Sequence, residues 1–407
     1  MRFTELDINK SLQKAIKGLG YEETTPIQTQ AIPPGLQRRD IVGCAQTGTG
    51  KTLAFLLPAL EHLLRNPAKG KNPRVVVLGP TRELVIQVTG EAKKLAAHTS
   101  LRVVSVYGGA GMRKQIDKLR RGVDVIIATP GRLMDHMRRK NVHFKDLEIL
   151  VLDEADRMLD MGFFPDIKQI VSHMPRQRQT MLFSATIPPT ISALARQFQH
   201  DPVSVEMDLA HPPDAIQQAL YAVPKHLKLR LLLAILDQIE VNSMLVFTRT
   251  KQEADIVTRH LKQTKIAVAC IHGDFKQRER IAALEGFRSG KHRVLVATNI
   301  AARGLDIEGI SHVINYDVPE HPEDYIHRIG RTARAEADGD AITLVTPDDE
   351  SLIHRIEYLL ERKIERKTLA EFDYDVPTPS WAKPSAKTMV KRASKSQSLA
   401  DRWRSMS

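Results

Sequence analysis

Residues 40–64 read DIVGCAQTGTGKTLAFLLPALEHLL, and this stretch indicates how the chain folds. A short apolar segment comes first, a glycine-rich turn follows, and an apolar segment of helical character comes last. Gly48 and Gly50 let the backbone pass close to a phosphate chain, so that its N–H groups can donate to the phosphate oxygens. Lys51 can neutralise the β- and γ-phosphates, and Thr52 carries the hydroxyl expected as a Mg²⁺ ligand. The stretch therefore predicts a phosphate-binding loop between a strand and a helix.

The turn departs from the usual pattern at its first position, where Ala45 stands in place of glycine. A glycine-rich turn that arose by chance is the alternative interpretation. The Lys-Thr pair at a strand-to-helix junction favours phosphate binding instead. The predicted nucleotide-binding residues of the loop are Ala45, Gln46, Thr47, Gly48, Thr49, Gly50, Lys51 and Thr52.

Short apolar runs recur on both sides of this loop, with amphipathic segments between them. Examples are VDVIIATP at 123–130 and HRVLVATN at 292–299. Runs this short and rich in β-branched residues, without clean alternation, are typical of strands buried on both faces of a parallel sheet. Segments 83–98 and 251–263 carry apolar residues at helical spacing and would supply the crossovers. The chain is therefore predicted to have an α/β fold in two halves, each a parallel sheet flanked by helices.

Proline residues and the loss of apolar periodicity mark the predicted boundaries. Pro202, Pro212 and Pro213 discourage helix between the halves, which places a hinge linker at 208–216. After residue 370, proline, serine and lysine dominate, which predicts disorder. The predicted organisation is a first domain at 1–207, the hinge linker at 208–216, a second domain at 217–370 and a disordered basic tail at 371–407.

Composition excludes several classes of protein. The chain has 407 residues, 42% hydrophobic and 27% charged, as expected of a folded globular protein with two or three domains. Its apolar runs are too short to span a membrane, and MRFTELDINK lacks the apolar core of a secretory signal. Cys44 and Cys270 stand far apart and outside any CxxC or His/Cys cluster, so neither a disulfide framework nor a structural zinc site is expected. These features predict a cytoplasmic protein without membrane partners.

The charge of the chain is unevenly distributed. The 60 Lys and Arg residues exceed the 48 Asp and Glu residues, giving a net charge of +12. Residues 376–407 carry seven basic side chains and one acidic side chain, so this short segment holds half of the excess. Such a segment suits a polyanionic partner, whereas a solubilising tail is the alternative on charge alone.

A carboxylate cluster ends the predicted buried strand at 147–152. Asp153 is predicted to hold Mg²⁺, partly through water, because hard cations prefer oxygen ligands and open α/β sheets bind ligands at the carboxyl edge. Glu154 is predicted to orient and deprotonate the attacking water. Alone, an Asp-Glu pair after a strand is more typical of a solvated loop. The phosphate loop about a hundred residues earlier favours the catalytic interpretation.

A third stretch, YIHRIGRTAR at 325–334, lies in the other half of the chain. Arg328, Arg331 and Arg334 recur every three residues and would share one face of a helix. Guanidinium groups suit the spread negative charge of a phosphoryl-transfer transition state, although a solvated basic face is the default alternative. Arg331 and Arg334 are therefore predicted to act as arginine fingers, supplied across a cleft when the two halves close.

Together these motifs resemble those of the DEAD-box ATP-dependent RNA helicases, and the resemblance runs from about residue 3 to about residue 370. AQTGTGKT, DEAD and HRIGRTAR stand in the family's order, with PTRELVIQ (80–87), SAT (184–186) and HGDFKQRER (272–280) in their expected places. Upstream, GYEETTPIQ (20–28) matches the family's Q motif. The chain is similar to the bacterial RhlE-like branch. The resemblance implies two tandem RecA-like domains, ATP and Mg²⁺ as cofactors, and RNA as the partner.

The resemblance also implies roles for individual residues. Gln28 would contact the adenine edge, Asp306 the ribose, and Phe3 would stack on the adenine ring, with packing in the protein core as its alternative. The residues that would couple the nucleotide site to RNA are Ser184, Thr186 and His327. Sequence-nonspecific contacts to single-stranded RNA or a short duplex are implied for Thr81, Arg82, Gly109, Thr129, Arg132, Gly273, Thr298 and Arg303.

The predicted function is that of an ATP-dependent RNA helicase that locally and non-processively unwinds or remodels RNA duplexes and RNA–protein complexes. Joint binding of ATP and RNA would assemble the catalytic site, so hydrolysis should depend on RNA. Two alternatives share these motifs, namely an RNA clamp whose ATPase times its release and a DNA-directed motor. The predicted state is a monomer, with ribosomal or mRNA-decay complexes as candidate partners.

Overall fold

A computed structural model describes residues 1–45, 48–67, 70–207, 216–239, 242–264, 266–299, 310–332 and 339–377. The chain divides into two units, residues 1–210 and 211–407. The predicted hinge linker lies outside the described residues except for Ile216, which is the first residue of a strand. The predicted tail lies outside them from residue 378 onward.

The first unit is a seven-stranded sheet with helices packed on both faces. Its strands are β1 (Ile41–Cys44), β2 (Val75–Leu78), β3 (Val103–Val106), β4 (Val125–Ala128), β5 (Ile149–Leu152), β6 (Gln179–Ser184) and β7 (Val203–Glu206). Its helices are α1 (Lys10–Gly18), α2 (Pro26–Leu36), α3 (Lys51–Arg65), α4 (Arg82–Leu95), α5 (Met112–Arg120), α6 (Pro130–Arg138), α7 (Ala155–Asp160), α8 (Phe164–Ser172) and α9 (Pro189–Phe198). The strands run in the order β3-β4-β2-β5-β6-β1-β7, and every pairing is parallel.

Strand β2 shows why these apolar runs form buried strands. Val75 and Val77 belong to the apolar cluster on one face of the sheet, and Val76 and Leu78 belong to the cluster on the other. Successive side chains of a strand point to opposite faces, so an uninterrupted apolar run needs cover on both. Helices α1 to α4 cover one face, and α5 to α9 cover the other. The predicted parallel α/β architecture is confirmed.

The second unit repeats this architecture. Its strands are β8 (Ile216–Ala222), β9 (Met244–Thr248), β10 (Val268–Ile271), β11 (Val294–Thr298), β12 (His312–Asn315), β13 (Gly339–Val345) and β14 (Glu365–Lys367). Its described helices are α10 (Lys228–Gln238), α11 (Lys251–Leu261), α12 (Gln277–Arg288), α13 (Pro322–Ile329) and α14 (Glu350–Leu359). The strand order is β10-β11-β9-β12-β13-β8-β14, again with parallel pairing throughout. None of the described helices of the chain is long and apolar enough to cross a membrane.

Packing of the second unit extends past the predicted domain boundary at residue 370. Tyr374 is buried in the apolar core of this unit, and Phe372 and Val376 pack against the same core. The rings of Phe372 and Tyr374 meet edge to face with centroids 4.8 Å apart. The prediction that disorder begins at 371 is therefore wrong for these residues, because two aromatic side chains supply enough apolar surface to anchor the segment.

The stretch at 325–334 does not form one continuous helix. Helix α13 ends at Ile329, Gly330 caps it, and Arg331 lies in the turn that follows. Glycine is a poor helix former and commonly marks a helix end. The prediction that three arginines share one helix face is wrong for Arg328 and Arg331, and Arg334 lies outside the described residues.

Candidate active site

The phosphate loop and the DEAD carboxylates follow the carboxyl ends of central strands of the first unit. Strand β1 ends at Cys44 and leads into the phosphate loop, whereas β5 ends at Leu152 and leads directly to Asp153 and Glu154. Only β6 lies between β1 and β5, and it ends at Ser184. Because these strands are parallel, their carboxyl ends share one edge of the sheet. The fold therefore brings the phosphate loop, the DEAD carboxylates and the SAT turn together.

The first turn of α2 holds the phosphate loop in place. The Thr25 hydroxyl donates to the carbonyl of Thr49 at 2.7 Å, and Gln28 Nε2 donates to the carbonyl of Gly50 at 3.1 Å. Gln28 Oε1 accepts from the backbone N–H of Thr25 at 3.0 Å, which closes a capping box. Gly50 has φ 92°, and a Cβ there would come within 2.4 Å of Gln28 Nε2. Only glycine permits this close approach.

The two residues predicted to recognise adenine are both buried. The contacts of Gln28 with Thr25 and Gly50 use one N–H and one lone pair of its side-chain amide. A primary amide has two of each, so one donor and one acceptor could still bind adenine, and this contact stays a prediction. Phe3 is 4% exposed and belongs to the apolar core of the unit. Its burial favours the packing role, and stacking on adenine likewise stays a prediction. Gln46 and Thr47 lie outside the described residues.

Lys51 places a buried positive charge at the beginning of α3. Its Nζ donates to the carbonyl of Ala45 at 2.6 Å, which folds the ammonium group back over the loop. Thr52 follows it in the first turn of the same helix. The amino end of a helix carries a partial positive charge and unpaired N–H groups. Loop, lysine and helix end together suit a polyphosphate.

The buried Asp153 is chemically suited to a divalent cation. Its side chain lies in the protein interior, where burial raises the pKa of the carboxyl group to about 7 although Lys51 acts in the opposite direction. A nearby divalent cation would favour the ionised form of such a group. Carboxylate and hydroxyl oxygens are the ligands that Mg²⁺ prefers. The donor set formed by Asp153 and Thr52 therefore fits Mg²⁺.

Glu154 has an unusual backbone conformation. Its φ of 52° and ψ of 54° lie in the left-handed region, which non-glycine residues adopt infrequently. Its side chain is buried and accepts from Arg157 Nη1 at 2.5 Å. Since such a backbone conformation persists only where its surroundings hold it, the ion pair with Arg157 is one contact that positions the predicted general base.

Asp156 connects the DEAD residues to the SAT turn. Its Oδ2 accepts from the backbone N–H groups of Ala185 and Thr186, both at 3.1 Å, and from the Thr186 hydroxyl at 3.2 Å. Its own N–H donates to Ser184 Oγ at 3.2 Å. The sequence assigned coupling to Ser184 and Thr186 but missed Asp156 and Thr25. Asp156 lies inside the DEAD motif and Thr25 inside GYEETTPIQ, and these positions could have identified both residues as functional.

Two threonines predicted to contact RNA begin helices at the same edge of the sheet. Thr81 follows β2 and caps α4, with its hydroxyl accepting from the backbone N–H of Leu84 at 3.2 Å. Thr129 follows β4 and caps α6. Strands β2 and β4 are neighbours, so the fold brings these two caps together.

The loop after β3 collects the other predicted RNA contacts of the first unit. Arg132 Nη1 donates to the carbonyl of Ala110 at 3.1 Å. Gly109 has φ 81°, and a Cβ there would come within 2.3 Å of Arg82 Nη1. Glycine therefore lets the Arg82 guanidinium lie against this loop. The structure places two basic side chains beside the loop, as a phosphate-binding surface requires.

The predicted functional residues of the second unit are only partly described. Gly273 is exposed just after β10, and Thr298 is the last residue of the neighbouring strand β11. His327 lies on α13, and Arg331 is buried in the turn after it. The remaining predicted residues, Arg303, Asp306 and Arg334, lie outside the described residues.

Arg328 is buried inside the second unit. Its guanidinium donates to the side-chain oxygens of Asn299 at 2.8 Å and Asn315 at 2.9 Å, and to the carbonyl of Asp317 at 2.7 Å. It also lies over the ring of Phe247, 4.9 Å from the centroid. These contacts tie α13 to the sheet, so Arg328 positions the turn that carries Arg331.

Known proteins with similar sequences cover most of this chain. Residues 25–194 match the DEAD/DEAH box helicase family, and residues 227–336 match the helicase conserved C-terminal domain. The DEAD-box ATP-dependent RNA helicase CshA of Geobacillus kaustophilus is 44% identical over 366 residues, which are 89% of this chain and 78% of that protein. The CshA of Bacillus subtilis is 43% identical over 89% of this chain and 73% of its own length.

Solved structures of similar chains have the same fold. S. cerevisiae Dbp5 bound to RNA and ADP BeF3 matches with a TM-score of 0.81 and 30% identity, over 90% of this chain and 95% of that one. The DEAD-box helicase Mss116 bound to ssRNA and UDP-BeF matches with a TM-score of 0.82 and 27% identity, over 91% and 80%. These likenesses confirm the predicted pair of RecA-like domains.

Proposed function

The chain belongs to the family of DEAD-box ATP-dependent RNA helicases, which are hydrolases acting on ATP, and from this we propose that it locally and non-processively unwinds or remodels RNA duplexes and RNA–protein complexes. The observation that carries the proposal is the position of Asp156. Its carboxylate binds the SAT turn, and it belongs to the same DEAD segment as Asp153 and Glu154, which follow β5 directly. A change at the nucleotide would therefore reach residues 184–186 through the DEAD segment and the hydrogen bonds of Asp156.

The first unit would bind ATP through the loop at 45–52, with Lys51 neutralising the phosphates. Gln28 and Phe3 would contact the adenine, and Asp306 of the second unit would contact the ribose. Thr52 and Asp153 would hold Mg²⁺, partly through water, and the ion would supply charge neutralisation on the phosphate oxygens. The fit of the oxygen ligands to Mg²⁺ supports this assignment.

Hydrolysis would use Glu154 to accept a proton from the attacking water. Arg331 and Arg334 would stabilise the negative charge that spreads over the transferred phosphoryl group. The buried contacts of Arg328 in the second unit support different roles for the three arginines. Arg328 would position the turn, and Arg331 and Arg334 would act on the nucleotide.

RNA would be held through its backbone without base-specific contacts. The residues proposed for this role are Thr81, Arg82, Gly109, Thr129, Arg132, Gly273, Thr298 and Arg303. Ser184, Thr186 and His327 would couple the RNA surface to the nucleotide site. Binding energy from RNA would thus help to assemble the catalytic site, which makes hydrolysis depend on RNA.

We further propose a cytoplasmic monomer that acts on ribosomal or mRNA-decay complexes. The bacterial origin of the reported relatives supports a bacterial protein. The net charge of +12 supports binding to a polyanion such as RNA. Membership of the RhlE-like branch stays a prediction, since the relatives reported above carry the name CshA.

The test is steady-state ATP hydrolysis without nucleic acid, with single-stranded RNA and with DNA of matched sequence. We expect strong stimulation by RNA and none by DNA. Glu154→Gln should lower kcat by about 10²- to 10⁴-fold while ATP binding is retained, because only the proton acceptor is lost. Glu91→Gln is the matched control, since this carboxylate pairs with Lys94 on the surface of α4, and its activity should equal that of the wild type.

Equal hydrolysis in all three conditions would show that the partner of this ATPase is not RNA. Stimulation by DNA would favour the DNA-directed motor. A duplex-unwinding assay with enzyme at catalytic concentration separates the remaining alternative, because an RNA clamp would hydrolyse ATP in response to RNA without separating strands.

A further inference from the structure

Three side chains able to bind a metal meet in the second unit, and none of them is assigned to ATP or Mg²⁺. They are Asp255 of α11, Cys270 of β10 and His272, and their ligand atoms all lie within 4.8 Å of one another. His272 Nε2 lies 3.0 Å from Asp255 Oδ1. A tetrahedral ion with ligand bonds of about 2.0–2.3 Å holds its ligand atoms about 3.5 Å apart. Small side-chain rotations would therefore bring all three onto one ion.

The fold explains why these residues meet. Cys270 and His272 are two positions apart, which directs both side chains to the same side of the extended backbone of β10. Helix α11 packs against β10, and Asp255 lies on this helix. The site depends on the packing of a helix against a strand, and the sequence offers only the Cys-x-His spacing at 270–272. This explains why the sequence, which lacks a CxxC motif or a larger His/Cys cluster, predicted no zinc site.

We propose that Asp255, Cys270 and His272 form a binding site for Zn²⁺. Thiolate, imidazole and carboxylate are all ligands that Zn²⁺ takes in proteins. A sulfur and a nitrogen ligand disfavour Mg²⁺, which prefers oxygen, so this site would discriminate against the ion proposed for Thr52 and Asp153. Three protein ligands leave a fourth position for water, which is typical of an exchangeable ion. The proposal does not rest on the helicase function.

The surroundings of the three residues are those of a site that an ion can enter. The Asp255 side chain is 53% exposed, whereas that of His272 is 6% exposed and Cys270 is half-buried. An ion would therefore reach the carboxylate first and then the two deeper ligands. Burial raises the pKa of the Cys270 thiol, and the neighbouring Thr258 hydroxyl acts in the opposite direction. Metal binding would release the thiol proton, so affinity should rise with pH.

The imidazole of His272 is oriented by contacts on its other side. Its ring packs on Phe275 with centroids 4.4 Å apart, and its Nδ1 accepts from the backbone N–H of Asp274 at 3.4 Å. An ion on Nε2 would require the proton on Nδ1, so the 3.4 Å contact with the Asp274 N–H would have to give way as the ion binds. Because His272 immediately precedes Gly273, an ion bound to His272 would restrain the beginning of the loop that carries Gly273.

The experiment is a titration of the metal-free full-length chain with Co²⁺, used as a spectroscopic probe for Zn²⁺. We expect one equivalent of Co²⁺ to produce a thiolate-to-metal charge-transfer absorption, and Zn²⁺ but not excess Mg²⁺ to remove it. Cys270→Ser should abolish the absorption. Cys44→Ser is the matched control, because the chain has two cysteines and the other one lies in the first unit, and this variant should keep the absorption unchanged.

A second variant guards against misfolding. Asp255→Asn changes an exposed side chain, so the fold should survive, and loss of this ligand should weaken Co²⁺ binding by about 10- to 100-fold or more. The proposal is overturned if the wild type shows no charge-transfer absorption, if that absorption persists in Cys270→Ser, or if Asp255→Asn binds Co²⁺ as tightly as the wild type.

Discussion

The two units share one strand order, displaced by seven strands along the chain. In each, the helix after the first strand begins with a lysine, which is Lys51 in α3 and Lys228 in α10. In each, an acidic residue follows the fifth strand, which is Asp153 after β5 and Asp317 after β12. Asp153 is the first residue after β5 and Asp317 the second after β12, so the lysine and the acid occupy comparable positions in the two sheets, and the contacts around them differ.

In the second unit the lysine and the carboxylate satisfy each other. Lys228 Nζ and Asp317 Oδ1 form a buried ion pair of 2.5 Å, and Asp317 Oδ2 accepts from the backbone N–H of Arg249 at 2.8 Å. Burial opposes ionisation of Asp317, but Lys228 and Arg249 hold the pKa of its carboxyl group below the ordinary value. Lys228 also lies over the ring of Tyr316, 4.6 Å from its centroid.

In the first unit the glycine-rich loop changes this outcome. Lys51 donates to the carbonyl of Ala45, and burial raises the pKa of Asp153 to about 7. The equivalent connection in the second unit, VPKHL at 223–227, contains no glycine. In the first unit the shared framework therefore forms a ligand site, because the loop offers backbone N–H groups and its Ala45 carbonyl binds the lysine. It yields a structural ion pair where the lysine meets the carboxylate.

Replacing the lysine of the first unit should give the largest effect on catalytic activity. Lys51→Met keeps the length of the side chain but removes the charge that would stabilise the phosphates, so RNA-stimulated kcat/KM for ATP should fall by about 10²- to 10³-fold. The free energy of unfolding should change little, since the lysine makes its described contact with a backbone carbonyl. Steady-state kinetics and denaturant unfolding measure the two quantities. A large loss of stability would identify Lys51 as a structural cation and remove the contrast between the units.

The equivalent replacement in the second unit should have the opposite profile. Lys228→Met leaves Asp317 buried without its partner, which should lower the stability of this unit by about 3–5 kcal/mol. ATP affinity of the first unit should be retained. Hydrogen exchange of the β9 and β12 amides under denaturant reports the loss, and the double variant Lys228→Met, Asp317→Asn should recover most of it because no unpaired charge remains. A loss of stability below about 1 kcal/mol would show that the Lys228–Asp317 pair contributes no more than an exposed ion pair, and would contradict its structural role.

The same pair predicts a dependence on pH. Because the pKa of Asp317 is lower in the folded than in the unfolded chain, the stabilisation is present above the unfolded value of about 4 and is lost as pH falls through the folded value. In Lys228→Met the unpaired carboxylate would be easier to protonate. The difference in stability between variant and wild type should therefore shrink in acid, and a difference independent of pH would contradict the ion pair as its cause.

Features encoded in contiguous residues could be predicted from the sequence. The apolar run of β2 needs cover on both faces, which indicates a buried parallel strand, and the loop at 45–52 carries its glycines and lysine together. The DEAD carboxylates likewise follow their strand directly. The strand prediction is confirmed because its physical cause lies within a few residues, and the roles of the loop and of the carboxylates stay predictions.

Features that join distant elements could not be predicted in this way. Lys228 and Asp317 are 89 positions apart, and nothing local distinguishes either from a surface charge. The spacing of Arg328 and Arg331 predicts a shared helix face. Gly330 ends the helix, however, and Arg328 is buried, with its guanidinium donating to Asn315 of β12. Asp255, Cys270 and His272 also meet only through packing. Burial and partner choice in these cases are properties of the assembled unit.

The smallest effect should come from the neutral contacts that hold the loop of the first unit. Thr25→Val removes the hydroxyl that donates to the Thr49 carbonyl at 2.7 Å while keeping the shape of the side chain. Losing the bond to the loop, worth about 0.5–1.5 kcal/mol, should weaken ATP binding by about 2- to 12-fold, because the loop must then be ordered by the ligand. The variant also removes the Thr25 hydroxyl from the capping box of α2, which adds to the loss. Equilibrium binding of a fluorescent ATP analogue measures this change.

Thr29→Val is the matched control, since the Thr29 hydroxyl bonds within its own segment, to Thr24 and the Thr25 carbonyl, and makes no described contact with the loop. Neither Thr25 nor Gln28 titrates, so the Thr25→Val effect should be equal at about pH 6 and about pH 8. In this respect it differs from the acid-sensitive ion pair of the second unit. Unchanged ATP affinity in Thr25→Val would mean that the glycines alone organise the loop, and the contrast between the units would then rest on backbone conformation instead of side-chain contacts.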